Sequence, residues 1–339
     1  MNRNRLLAAI LAAALASGGA AVAQDGDAYT LEGETIRFLL PSAAGGNTDN
    51  QTRLLAEHMA QYLPGEPSII VQNLTGGGGL RMMEFIAQLD PAEDLVMFGP
   101  TSSMPFRSAM GAVDPDQFDP RTTHWVGGFR GLTQFCIVSA GIETFDDMMD
   151  TDMLFAATNA AGTAAAIYSL LEESLGLSIE TVAGYDSFGL QVLAVSRGEV
   201  DGMCNNYSAY ESLIRPEVEA GNVRFAFYLD VAPREDIVDA PFFGDLPFPA
   251  EGVEVVQSAL SAILFSGLYA VPEGSDPRFV AAMREAFDLT VADPEFREAA
   301  IGYGIDLRYQ SAADVDARVE ALYAMPTSTI EQIGRYFGE

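Results

Sequence analysis

The chain has 339 residues, 49% of them hydrophobic, and 48 Asp and Glu oppose 18 basic residues for a formal charge of -30. Every basic residue is Arg; without Lys, a Walker A loop, a Schiff-base enzyme and a pyridoxal-phosphate site are excluded, and no cofactor is implied. The missing basic footprint excludes nucleic acid as a partner, while the apolar content and a length beyond one usual core predict two folded domains.

In chain order, residues 1–23 read first, as a secretory signal peptide. Arg3 and Arg5 form its basic start, Leu6–Ala16 its apolar core and Ala21-Val22-Ala23 its cleavage site. No Cys lies near that site, which argues against a lipoprotein anchor, and no later run approaches the roughly 20 apolar residues of a membrane helix. Cleavage would leave 16 Arg against 48 acids, or -32. The mature protein is therefore expected to be soluble and periplasmic, its acidic excess a solvated surface suited to a saline habitat.

Strand-like and helix-like pieces then alternate. Ile36–Leu40 is a short apolar run, and residues 48–63 place Leu54, Leu55, His58, Met59 and Tyr62 at helical spacing, with Thr48 or Asp49 as the N-cap. Ser68–Val71 reads as a strand, 80–89 as a helix and Leu95–Phe98 as a third strand. The rhythm restarts with strands at Phe135–Val138 and Met153–Ala157, a helix at 163–175, a strand at Thr181–Ala183 and a helix at 187–197. Strands at Val200–Cys204 and Val223–Tyr228 follow. Residues 229–260 show no period and read as an irregular excursion; Phe265–Val271 returns as a strand, and three or four helices end the chain. Such alternation predicts βαβ units with parallel pairing, in a first domain completed by the C-terminus.

Three segments fall where a strand hands over to a helix: Pro41–Asp49, Asn73–Gly79 and Asn159–Thr163. Ligands collect outside the carboxyl ends of strands in open α/β sheets, and free N–H groups at a helix start favour an anion there. No catalytic constellation competes. The only histidines, His58 and His124, lack metal-ligand spacing and any nucleophile context, and no G-x-S-x-G occurs in the mature chain. Trp125 is expected to pack near a domain junction. Cys136 and Cys204 form an even pair, which permits a disulfide in an exported protein and equally permits two buried thiols.

These residues resemble one family. IRFLLPSAAGGNTDNQTRLLAEHM is similar to the opening of the tripartite tricarboxylate transporter substrate-binding proteins, the TctC or Bug family, whose P-x-x-x-G-G-x-x-D is matched by Pro41, Gly45, Gly46 and Asp49. Its N-x-x-G-x-G-G is matched by Asn73, Gly76, Gly78 and Gly79. VMFGPTSS, NAAGTAAAIYSLLEESLG, GYDSFGLQVLAVSRGEVDGMCNN and the tail from LYAVPEGSD onward follow in the family's order. The resemblance implies a non-enzymatic α/β protein of the two-lobed type II, Venus-flytrap kind, with a central sheet in each lobe. Lobe 1 would comprise 24–131 plus 264–339 and lobe 2 would comprise 132–263.

By position, the resemblance implies first-lobe ligand contacts at Ser42, Ala43, Ala44, Gly45, Gly46, Asn47, Thr48 and Asp49, at Thr75, Gly76, Gly77 and Gly78, and at Thr101 and Ser102. Second-lobe contacts would be Asn159, Ala161, Gly162, Thr163, Tyr185 and Asn205. It also implies that the strand holding Cys136 runs antiparallel beside the strand ending at Cys204, bringing both cysteines near the hinge, where a disulfide is expected. Ser42 replaces the family's usual aromatic, Leu74-Thr75 its common Arg-Pro and Asp186-Ser187 its frequent Lys-Gly, which shifts the expected ligand from dicarboxylates toward a monocarboxylate or neutral polar solute. The implied partners are that solute and the membrane permease subunits of a tripartite transporter, with the binding protein itself a monomer. A hydrolase on the same scaffold and a ligand-presenting sensor subunit are the alternatives.

Overall fold

The computed structural model describes residues 29–336 other than 46, 102–103, 131–132, 159, 161–162, 186, 207–212, 264, 266, 304 and 306. For 47, 130, 163, 262, 263 and 336 only the backbone is described. The signal peptide expected at 1–23 lies outside the described residues.

β1 (Thr35–Leu40) buries Ile36, Phe38, Leu39 and Leu40, an apolar run interrupted only by half-buried Arg37, as in a strand covered on both faces. α1 (Asn47–Met59) buries Leu54, Leu55 and Met59, and β2 (Ser68–Asn73) pairs parallel with β1. Because α1 starts at Asn47, Thr48 and Asp49 lie in its first turn instead of capping it. α2 (Leu80–Ile86), β3 (Val96–Phe98), α3 (Met104–Ala109) and β4 (His124–Arg130) follow. β3 is parallel to β1 on the side opposite β2. β4 was not foreseen, since HWVGGFR carries two glycines and no alternation. Buried Trp125 and Phe129 hold it in the core, with the Trp125 indole N–H donating to Pro120 O at 2.9 Å. Trp125 thus sits inside the first sheet's core.

The second group opens with β5 (Gln134–Ser139), α4 (Phe145–Asp150), β6 (Asp152–Ala157), α5 (Thr163–Leu175), β7 (Ser178–Ala183), α6 (Phe188–Ser196) and β8 (Gly202–Asn206). It closes with α7 (Arg215–Glu219), β9 (Val223–Leu229) and α8 (Ala250–Ile263). α8 occupies the last third of the stretch 229–260 read as irregular. β10 (Leu268–Val271), α9 (Pro277–Ala292), α10 (Pro294–Gly302), β11 (Leu307–Ser311), α11 (Ala312–Ala324) and α12 (Thr327–Tyr336) finish the chain, so the helical tail also contains a strand. No helix among the described residues is long and apolar enough to cross a membrane.

The strands form a six-stranded sheet, β11-β4-β10-β3-β1-β2, and a five-stranded sheet, β7-β6-β8-β5-β9. Their directions decide where a site can lie. β10 is antiparallel to β3 and β4 antiparallel to β10, so β4 points the same way as β1, β2 and β3 and ends at their carboxyl edge. β5 is antiparallel to β8, which runs parallel to β6 and β7, so β5 begins at the carboxyl edge of those strands. The link from Arg130 to Gln134 therefore joins the two carboxyl edges. The return path does the same, because β10 starts at Leu268 opposite Gly128, near the end of β4.

Cys136 and Cys204 stand opposite each other in the β5–β8 register, are buried and are joined by a disulfide. Tyr168 ties the same layer together: its buried hydroxyl donates to Ala156 O at 2.7 Å and accepts from Cys204 N–H at 3.0 Å, and burial pushes its ionisation well up. In the first sheet, Thr52 Oγ1 and Tyr269 OH lie 2.8 Å apart in the core and lock α1 to β10.

Candidate ligand-binding site

The loop after β1 is organised by one buried carboxylate. Asp49 is 1% exposed and accepts from Gly45 N–H at 2.8 Å, from Asn73 Nδ2 at 2.9 Å and from Arg53 at 2.9 and 3.0 Å. The Arg53 hydrogen bond leads in holding its pKa near 2 instead of 3.8, with Gly45 and Asn73 adding to it. Asn73 also donates to Ser42 O at 2.9 Å, so β2's last residue fixes the loop after β1. Asp49 is thus turned inward onto its own loop. Ala43, Ala44 and Gly45 are exposed, Thr48 is half-buried, and Ser42 Oγ is buried with no hydrogen-bond partner among the described residues.

The loop after β2 carries Gly76, Gly77, Gly78 and Gly79 at φ 127, 58, 62 and 105°, a run that only glycine adopts without strain. Thr75 and Gly76–Gly78 are exposed. Thr101, after β3, donates through Oγ1 to Gly78 O at 3.1 Å and joins the loops after β2 and β3. Arg107 of α3 reaches the same place: its Nη1 stands 2.9 Å from where a Cβ on Gly78 would sit. Sequence reasoning missed this residue. The signal was its isolation, as the only cation between Arg81 and Arg121, one turn after the Thr/Ser loop.

On the second sheet, Gly184 N–H donates to Thr158 O and Tyr185 N–H to Ala157 O, each at 3.3 Å, which binds the start of the β6 loop to the β7 loop. Gln191 of α6, also missed, stitches the two together. Its Nε2 donates to Thr158 Oγ1 at 3.1 Å and to Tyr185 O at 3.4 Å. Tyr185 and Asn205 are half-buried, and Asn205 Oδ1 accepts from Asn206 N–H at 2.8 Å. The sequence-predicted residues Gly46, Ser102, Asn159, Ala161 and Gly162 lie outside the described residues, as do the side chains of Asn47 and Thr163.

Where the sheets meet, Thr133 donates to Asp230 and accepts from Arg234. Asp236 bridges Arg234 to Arg308 of β11, each pair at 2.7 Å, and both guanidiniums, Arg234 first, hold that carboxyl far below its usual range. A cavity of about 690 Å³ lined by Arg121, His124, Arg284 and Asp316 shares no residue with the site loops. Its cations are engaged, Arg121 on Asp119 and over the Tyr323 ring, and Arg284 on Trp125 O. Among the described residues no cluster of His, Cys, Asp and Glu could hold a metal.

No protein-family model matches the chain. Among curated proteins it is 25% identical over 299 residues to the UPF0065 protein in the TAR-I ttuE-ttuC' intergenic region of Agrobacterium vitis, covering 80% of this chain and 84% of that one. It is 23% identical over 292 residues to protein BugT of Bordetella pertussis, covering 84% and 83%. Among solved structures, a TctC solute-binding protein from Polaromonas superposes with a TM-score of 0.68 at 15% identity, over 88% of this chain and 98% of that one. The TctC/Bug resemblance is borne out. The fold is that of this family's two-lobed periplasmic binding proteins. Two further neighbours of that fold come from Rhodopseudomonas palustris: MatC with bound malate, at a TM-score of 0.56 and 16% identity over 90% and 98% of the two chains, and a protein with adipate, at 0.59 and 15% over 90% and 97%.

Proposed function

We propose that this protein is a periplasmic solute receptor of the TctC/Bug kind, exported by a signal peptide cleaved after residue 23. It captures a small organic carboxylate between lobe 1 (24–131 plus 264–339) and lobe 2 (132–263) and hands it, as a monomer and without chemistry of its own, to the permease of a tripartite transporter. One observation carries the reading: both chain crossings between the sheets join their carboxyl edges, so the glycine-rich loops of one sheet and the Thr158–Tyr185 loops of the other border the same junction. Exposed backbone at Ala43–Ala44 and Gly76–Gly78 offers N–H groups, the Gly45 N–H being held by Asp49, and Arg107 adds a cation beside Gly78. The carboxylates held by neighbours of this fold support the same ligand class.

A thermal-shift screen of mono- and dicarboxylates, with product analysis of each hit, tests the proposal. A true ligand raises the melting temperature by mass action and is recovered unchanged. Turnover of a hit would replace the receptor with an enzyme, and failure of every carboxylate would remove the ligand class.

A further inference from the structure

Resting on that reading, we propose that the ligand is a carboxylate carrying a hydrogen-bond donor, a hydroxyl or an ammonium, at its far end, and that Gln191 Oε1 receives that donor. Gln191 is 1% exposed and lies early in α6, on a face otherwise made of Val192, Ala194 and Val195. An apolar side chain would satisfy that face. The amide instead reaches to the ends of β6 and β7, donating to Thr158 Oγ1 and Tyr185 O.

Its orientation is not arbitrary. The Tyr185 carbonyl can only accept, so it takes the amide nitrogen and leaves Oε1 as the acceptor without a protein partner among the described residues. Oε1 is also buried. A buried acceptor left unmade is strongly unfavourable, and native structures retain one chiefly where a water, an ion or a ligand completes it. This one lies among the second-sheet loops that border the junction.

The two sides of the site therefore differ in sign. The first sheet contributes backbone N–H groups and Arg107, which suit a carboxylate. The second presents an acceptor oxygen, which suits O–H or N–H and repels a second carboxylate. A ligand bound across both sides has a fixed polarity, and dicarboxylates are selected against.

Titration calorimetry on the mature protein tests this with two matched sets: butyrate, γ-hydroxybutyrate, γ-aminobutyrate and succinate; and caproate, ε-aminocaproate and adipate. At the length that binds, the donor-bearing acid should bind at least about tenfold tighter than the plain acid and the diacid, a ratio of about 1.4 kcal/mol. Gln191→Met, close in volume, should erase that ratio; because it also removes the Nε2 bonds to Thr158 and Tyr185, the ratio within the variant is the readout and not its absolute affinity. Gln191→Glu, close in shape, should favour the ammonium probe further if the Met variant does not fold. Carboxylates that bind with no preference for the donor, or a preference that survives in Gln191→Met, overturn the inference and leave the receptor reading standing. Binding by no carboxylate overturns both, and a water alone completing Oε1 would show as an unchanged preference in every variant.

Discussion

Replacing Asp49 by Asn keeps the shape of the side chain and removes its charge. In the folded protein Asp49 titrates near 2 instead of 3.8, chiefly through its hydrogen bond to Arg53, a difference worth about 2.4 kcal/mol at roughly 1.36 kcal/mol per pKa unit. The Asp49 side chain is 2% exposed but that of Arg53 is 48% exposed, so solvent screens part of the pair and about 1.5 kcal/mol is the sounder expectation. A depressed carboxyl pKa contributes stability that is fully present above the unfolded value and is lost as pH falls through the folded one. Urea melts of the wild type and Asp49→Asn should thus differ by about 1.5 kcal/mol at pH 7, and thermal melts by roughly 2 °C in Tm for a chain of this size. The gap should narrow below about pH 4, be mostly gone at about pH 2 and close below it. Comparing the two proteins cancels the other carboxyls. Because Gly45 and Asn73 lose an acceptor of full charge, carboxylate affinity should fall alongside stability. Equal stability at neutral pH, or a gap that persists unchanged at pH 2, would refute this account of the loop.

Gly78→Ala places a methyl at φ +62° and against Arg107 Nη1 and should weaken carboxylate binding more than tenfold by calorimetry; Gly111→Ala, at φ +74° with open space around it, should lower Tm alone. Arg107→Gln should weaken carboxylates about tenfold, the scale of one charge-assisted hydrogen bond, and leave a neutral ligand's Kd in place. The double replacement Cys136→Ser with Cys204→Ser, which opens a bridge of sequence separation 68, should lower unfolding free energy by about 4 kcal/mol in non-reducing urea melts. The Kd for a carboxylate should change less than about threefold between physiological and molar salt if short-range contacts govern binding.

The parallel cores of both sheets were legible because each strand is an apolar run followed by an amphipathic helix, as in β1 to α1 and β6 to α5. The loops Pro41–Asp49 and Asn73–Gly79 were legible because glycine and Asn clusters stand between such pieces. What stayed hidden has two physical causes. β4 and β11 are stabilised by tertiary pairing across the sheet, with Gly127 and Gly128 admitted because Phe287 and Leu268 fill the space beside them; no local period announces that. α8 follows a Pro-rich excursion whose composition masks its start. At the site, Asp49 read as a ligand contact because its motif position is suggestive, but its oxygens are occupied by Arg53, Asn73 and Gly45. Arg107 was invisible because it reaches the loops from a helix that the motifs do not mark, and Gln191 because it sits among apolar residues of α6, inside a family segment whose expected contacts were at Tyr185 and Asn205.

A protein of charge -30 that holds an anion is not a contradiction once distances are compared. The surplus acids are dispersed over the surface, and their field decays over about 8 Å at physiological ionic strength and about 3 Å at molar salt. The groups that face the site act at hydrogen-bond range, where no screening ions intervene. Among the described residues, the buried carboxylate of the first-sheet loops, Asp49, is neutralised within its own loop by Arg53 at 2.9 Å, so it presents little negative potential outward, and the Arg107 guanidinium lies beside Gly78. Sign at the site is thus set by which charges are paired inward, and the net charge sets only how far the protein stays from its neighbours in solution.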